Sequence, residues 1–188
     1  MLAKPFDTTY LFSETPRLSD ILLIAESTPP ASLVQQWLRA EESLTALMAP
    51  AVRQQIEVEH RVSLDDVWTT LSYSTAIEEM MGRIGDWVRQ HERPSRIVIF
   101  LASDQGSRAD FATQSNSELR EFVSTQVSSP IRLLHMVLSR WSAVSCQILV
   151  GQPSCSLSRA RNEWWSTLLS QLSGEYPDST LTLEVVSD

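Results

Sequence analysis

Residues 96–102 read Arg-Ile-Val-Ile-Phe-Leu-Ala (RIVIFLA), and the structure they can adopt decides the fold. Six apolar side chains in succession leave no polar face to turn toward water. The run is also too short for a helix of ordinary length, so a strand buried on both faces is the structure that suits it. Pro94 breaks the chain just ahead. Downstream, residues 117–141 carry Leu119, Phe122, Val123, Val127, Leu134, Val137, Leu138 and Trp141 at helical spacing. Pro130 lies inside that pattern and predicts a kink or a short break. Residues 146–151 (CQILVG) form a second buried strand, residues 159–174 a helix, and residues 180–186 (TLTLEVV) a last strand.

The same alternation runs upstream. Residues 20–25 (DILLIA) read as a buried strand, Pro29 and Pro30 as a turn, and residues 31–42 as a helix through Leu33, Val34, Trp37 and Leu38. Residues 44–48 fit a second strand closed by Pro50, and residues 67–73 (VWTTLSY) are β-branched and aromatic. Ile77, Met80, Met81, Ile84, Trp87 and Val88 form a helical stripe ending near Gln90, whereas residues 51–66 fit neither period. Strands alternating with helices of this length predict βαβ units: an α/β, Rossmann-like, doubly wound parallel sheet of about six strands in a single domain over residues 19–188. Residues 1–18, with Pro5 and Pro16, read as an N-terminal extension.

Composition narrows the chemistry. At 188 residues, 43% hydrophobic and 20% charged, the chain can bury a sizeable core. A net charge of −8 argues against nucleic acid, which calls for a basic surface. No apolar run reaches the roughly 18–20 residues of a membrane span, and the N-terminus shows no secretory pattern, so a cytoplasmic protein is expected. All five glycines lie at or beyond Gly82, and the single lysine is Lys4. A glycine-rich phosphate loop near the N-terminus and a lysine within the folded body are thereby excluded. Cys146 and Cys155 match no zinc spacing, and Cys146 opens an apolar run as a structural cysteine would. His60, His91 and His135 form no ligand pair, so no metal site is expected.

From RIVIFLAS (96–103), through TQVSSPIRLLHMVL (125–138) and QILVGQPS (147–154), to LSGEYPDSTLTLEVVSD (172–188), the order and spacing of elements resemble the short-chain dehydrogenase/reductase family, with the ketoacyl-carrier-protein reductases as the nearest branch. The resemblance implies hydride transfer from a nicotinamide by a Tyr, a Lys four residues on, a Ser and an Asn. By spacing, the tyrosine position falls on Ser158, the lysine on Asn162, the serine on Gln152 with Ser154 two residues later, and the asparagine on Gln126. The family's Asn-Asn-Ala-Gly is here Phe100-Leu101-Ala102-Ser103. Independently of alignment, Tyr10, Tyr73 and Tyr176 are followed four residues on by Glu14, Ile77 and Thr180, so the chain contains no Tyr-x-x-x-Lys. That lysine would lower the tyrosine pKa and hold the ribose.

The family's glycine-rich turn after the first strand is replaced by residues 25–32, Ala-Glu-Ser-Thr-Pro-Pro-Ala-Ser. Two prolines remove N–H donors there and Glu26 adds a negative charge where a diphosphate would sit, so no cofactor is expected. Asp65-Asp66 resembles an adenine-contacting acid but reads better as a solvated turn. The chain ends at Asp188, directly after the last strand, so the sheet is expected to lack the family's seventh strand and substrate-closing segment.

Three readings follow. The first is a catalytically inactive reductase-like protein that associates with itself, as a dimer or tetramer, or with an active reductase. The second is an active NAD(P)-dependent oxidoreductase with a rearranged site. The third is an unrelated α/β module that binds a ligand or a protein. For the first, the resemblance implies association through the two long helices, residues 117–141 and 159–174. Trp164 and Trp165 project about 100° apart on a helix. If Trp165 faces the sheet with Leu169 and Leu172, Trp164 stays on the flank with Leu157 and Leu168 nearby. Trp141, Trp164 and Leu168 are therefore the interface candidates; alternatively, both tryptophans of the pair fill a broad core stripe.

Overall fold

A computed structural model describes residues 21–25, 27–39, 43–72, 77–90, 93–101, 114–141 and 143–186. Among them, six strands form one all-parallel sheet: β1 (Ile21–Ala25), β2 (Leu44–Met48), β3 (Thr69–Ser72), β4 (Arg96–Phe100), β5 (Ser145–Gly151) and β6 (Thr180–Val186). Their spatial order is β3-β2-β1-β4-β5-β6, with β1 paired to β2 on one side and β4 on the other. This is the Rossmann order, whose reversal point lies between β1 and β4. The expected α/β doubly wound sheet is thus the observed one.

Helices cover both faces. Val34 and Trp37 of α1 (Ala31–Arg39), Val52 and Ile56 of α2 (Pro50–His60), and Leu64 of α3 (Leu64–Val67) pack with Ile21, Leu23, Ala46 and Phe100. On the opposite face, α4 (Ile77–Gln90), α6 (Ser129–Arg140) and α7 (Ser156–Glu175) pack Ile84, Trp87, Leu134, Val137, Trp165 and Leu169 against Leu22, Ile24, Ile97, Ile99 and Ile148. Each interior strand contributes to both layers, which is why its sequence is a continuous apolar run rather than an alternating one.

Several boundaries differ from the sequence reading. Residues 51–66 form α2 and α3, separated where Arg61 takes a left-handed conformation (φ 53°). Val67 ends α3 instead of opening a strand, because Leu64 is the buried anchor and Val67 faces solvent; β3 starts at Thr69. Arg53 fixes this corner. Its guanidinium donates to Glu57 (3.1 Å), Thr70 (3.0 Å) and Asp65 (2.7 Å), and Glu57 also accepts from the Leu64 amide (3.0 Å). Hydrogen bonds from Arg53 and Thr70 hold the Asp65 carboxyl below its usual pKa. The adjacent acids Asp65 and Asp66 are exposed, but they lie in α3 rather than in the expected turn.

The long helical pattern divides into α5 (Asn116–Val123), a π-helical turn (Ser124–Ser128) and α6, with Pro130 in the first turn of α6. Ser115 caps α5 in a reciprocal box with Glu118. The wider turn is the break that Pro130 foreshadowed: π turns accommodate a register change that an unbroken α-helix cannot. The expected extension over residues 1–18, together with Glu26, Tyr73, Ala102 and Ser103, lies outside the described residues. None of the described helices is long and apolar enough to cross a membrane.

Candidate functional site

In this sheet order a ligand would bind beyond the carboxyl ends of β1, β4 and β5. Three of the four positions expected to be catalytic lie together near there. Gln126 sits in the π turn, and Ser158 and Asn162 occupy the first two turns of α7. Gln152 follows β5 and is exposed, as is Ser154.

The residue that joins the cluster is Arg161, which the sequence reading did not single out. It is the one charged side chain in the core among the described residues, 2% exposed. Its Nη1 donates to Gln126 Oε1 (2.9 Å) and its Nε donates to Asn162 Oδ1 (2.9 Å). A guanidinium stays charged in a core and offers donors in a planar fork, which two amide oxygens can meet. The signal was present: Ser158, Arg161, Trp165 and Leu169 recur at spacings of three and four, the buried stripe of α7. An arginine within such a stripe is easily assigned to the solvent side.

Ser158 is fully buried and belongs to the cap of α7. Its hydroxyl donates to the Cys155 carbonyl (3.0 Å) and accepts from the Cys155 amide (3.2 Å). Cys155, as N-cap, shifts the start of α7 three residues ahead of the expected Arg159. A serine so placed has neither the reach nor the acidity of a phenol, and none of the described residues is a lysine that could assist it. Burial pushes the Cys146 thiol up to about 12. No described group of three or more His, Cys, Asp or Glu residues is arranged to hold a metal ion.

The nucleotide end of the site can be tested against a dinucleotide. Between β1 and α1, Pro29 is buried and the Pro30 carbonyl accepts from the amides of Leu33 (3.0 Å) and Val34 (3.1 Å), closing the first turn of α1. Neither proline has an N–H to offer a diphosphate. The Ser27 hydroxyl is buried with no accessible surface, and Thr28 donates to Gln55 Oε1 (2.7 Å) on α2. At the end of β4, Phe100 and Leu101 fill the core. These residues do not fit a nicotinamide dinucleotide in the manner the resemblance implies.

The interface candidates are placed differently from one another. Trp165 is fully buried, whereas Trp164 is 39% exposed and stands edge-on to it, with ring centroids 5.0 Å apart. Leu168 is half-buried against the core. Trp141 is not a surface anchor: it is 8% exposed and packs edge-to-face on Trp87, because the chain turns inward as α6 ends. Val123, at the end of α5, is 50% exposed.

No protein-family model and no curated protein matches the sequence. Solved structures do match. A bulky-bulky ketone specific alcohol dehydrogenase from Comamonas testosteroni is 13% identical with a TM-score of 0.65, over 89% of this chain and 72% of that one. A short-chain dehydrogenase/reductase from Brucella melitensis, described as a glucose/ribitol dehydrogenase, is 11% identical with a TM-score of 0.68, over 90% and 76%. A short-chain dehydrogenase/reductase from Saccharomyces cerevisiae is 9% identical with a TM-score of 0.67, over 89% and 70%. At such identities the likeness is one of architecture: this chain has the fold of the short-chain dehydrogenase/reductases.

Proposed function

We propose that the chain is a catalytically inactive short-chain dehydrogenase/reductase-like protein whose folded body serves association, with a second copy of itself or with an active reductase. One observation carries this reading: the positions that would hold the catalytic tyrosine and lysine are Ser158, buried in a helix cap, and Asn162, which accepts a hydrogen bond from the buried Arg161. The prolines ahead of α1 support it, since they take away donors on which a cofactor would rest.

Association would use α5, α6 and α7. Trp164 and Val123 are large apolar side chains that these helices leave exposed, and a tryptophan is the residue type that most often anchors an interface. Two-fold pairing would set the same patch of each copy against the other.

Light scattering during size exclusion tests the reading, with NADPH titration alongside. The expected particle is at least twice 21.2 kDa, and Trp164→Glu shifts it toward the monomer. NADH and NADPH bind no tighter than about 1 mM. A monomer at tens of micromolar that also fails to co-purify with a reductase overturns the association, and micromolar nucleotide binding overturns the loss of cofactor.

A further inference from the structure

A groove of about 730 Å³ runs between α4 and α6, on the sheet face that also carries α7. Its floor is apolar: Met81 and Val88 from α4, Ile131 and Met136 from α6. Its open volume has a cause in the sequence. Gly82 and Gly85 form one wall, and a Cβ added at Gly82 would meet nothing within 4 Å. Two of the chain's five glycines therefore stand inside a helix, where glycine is a poor choice, at the two places that keep this wall low.

The described rim is basic. Arg132, His135 and Arg140 line it from α6 and Arg89 from α4, and none of the described lining residues is a carboxylate. Arg89 is paired with the exposed Asp86. In a chain of net charge −8, a groove whose described lining holds Arg132, Arg140 and His135 beside the paired Arg89, and no described carboxylate, is a local attractor for anions. Methionines suit a flexible apolar chain, because the thioether adapts to its contour. The volume lies within the range of small-molecule sites.

We propose that this groove binds a single-chain amphiphile with an anionic head: the apolar chain over Met81, Val88, Ile131 and Met136, and a carboxylate or phosphate head held by Arg132 and Arg140. The site is separate from the vestigial catalytic cluster and does not depend on the reading given for it.

Calorimetry of the full chain with decanoate, decyl phosphate and uncharged decanol tests the assignment. One saturable site is expected for an anion, with decanol about tenfold weaker or worse. Saturation by decanoate alone assigns a carboxylate head, by decyl phosphate alone a phosphate head, and by both the shared chemistry. Gly82→Leu should weaken binding by about tenfold while leaving the melting temperature equal or higher, because leucine fills the groove and favours helix. Arg132→Gln with Arg140→Gln should weaken the anions by a similar factor without affecting decanol. Absence of saturable binding overturns the proposal, as does binding that neither variant weakens. A halved particle mass for Gly82→Leu also overturns it, since a second copy would then be the occupant.

Discussion

Trp165 donates its indole N–H to the main-chain oxygen of Gln126 at 3.0 Å, inside the core. In a regular α-helix that oxygen would accept from residue 130, which here is proline and has no N–H. An indole from α7 thus serves a carbonyl that Pro130 cannot. The π turn, the proline and the tryptophan form one unit that locks α6 to α7. The side chain of the same Gln126 accepts from Arg161, so both oxygens of the residue are held by α7.

Trp165→Phe should lower stability by about 2–4 kcal/mol, from the unsatisfied carbonyl and the space left by the smaller ring. In a Pro130→Ala background, the restored amide can serve Gln126, and the cost should fall by about 1 kcal/mol. Urea denaturation of the four proteins in the cycle measures this. Strict additivity would show that the two residues do not share the carbonyl.

Arg161→Lys keeps the positive charge but not the planar fork that reaches Gln126 and Asn162 together. A loss of roughly 1.5–3 kcal/mol is expected, the usual range for hydrogen bonds made by a charged group. The midpoint of chemical denaturation reads it directly. A change within about 0.5 kcal/mol, the ordinary size of a surface substitution, would mean that charge alone matters there.

Restoring the missing pair by Ser158→Tyr and Asn162→Lys should give no ketoreductase activity. Ser158 has no accessible surface, so the phenol overpacks the cap of α7 at a cost of about 1–3 kcal/mol. The donors ahead of α1 would still be absent. NADPH oxidation with an acetoacetyl thioester is the assay, and measurable turnover would contradict this account of the nucleotide turn.

Cys146 is buried and its thiol titrates near 12, whereas Cys155 is partly accessible. Iodoacetamide at pH 8 should therefore label about one thiol per native chain and about two after unfolding, as mass spectrometry would count. The folded pKa lies above the unfolded value of about 8.5. The stabilising contribution of the neutral thiol is accordingly complete below about pH 8.5 and declines as pH rises toward 12. Cys146→Ala should flatten that alkaline decline.

Legibility in the sequence followed physical cause. The strands were readable because a parallel strand covered on both faces must be apolar throughout, as at Ile21–Ala25 and Arg96–Phe100. The division of residues 51–66 into α2 and α3 was not, because it turns on a left-handed arginine rather than a glycine. Val67 was misleading for a related reason: β-branching favours a strand, but the buried anchor one turn back holds the residue in a helix. Arg161 was missed because charge is usually a guide to the surface, and its amide partners lie 35 residues away or next door in the chain. Pro130 gave the place of the break in the long helix but not its form, which depends on what α7 supplies.

The central position of β1 also bears on synthesis at the ribosome. Ile21–Ala25 can pair with β2 as soon as residue 48 has emerged, but its other edge waits for β4, which is complete only at Phe100. Until then a nascent chain carries an open strand of five apolar residues, the kind of edge that recruits neighbouring chains. A fragment ending at Gln90 would keep that edge permanently and should precipitate, whereas the finished sheet seals it between two partners.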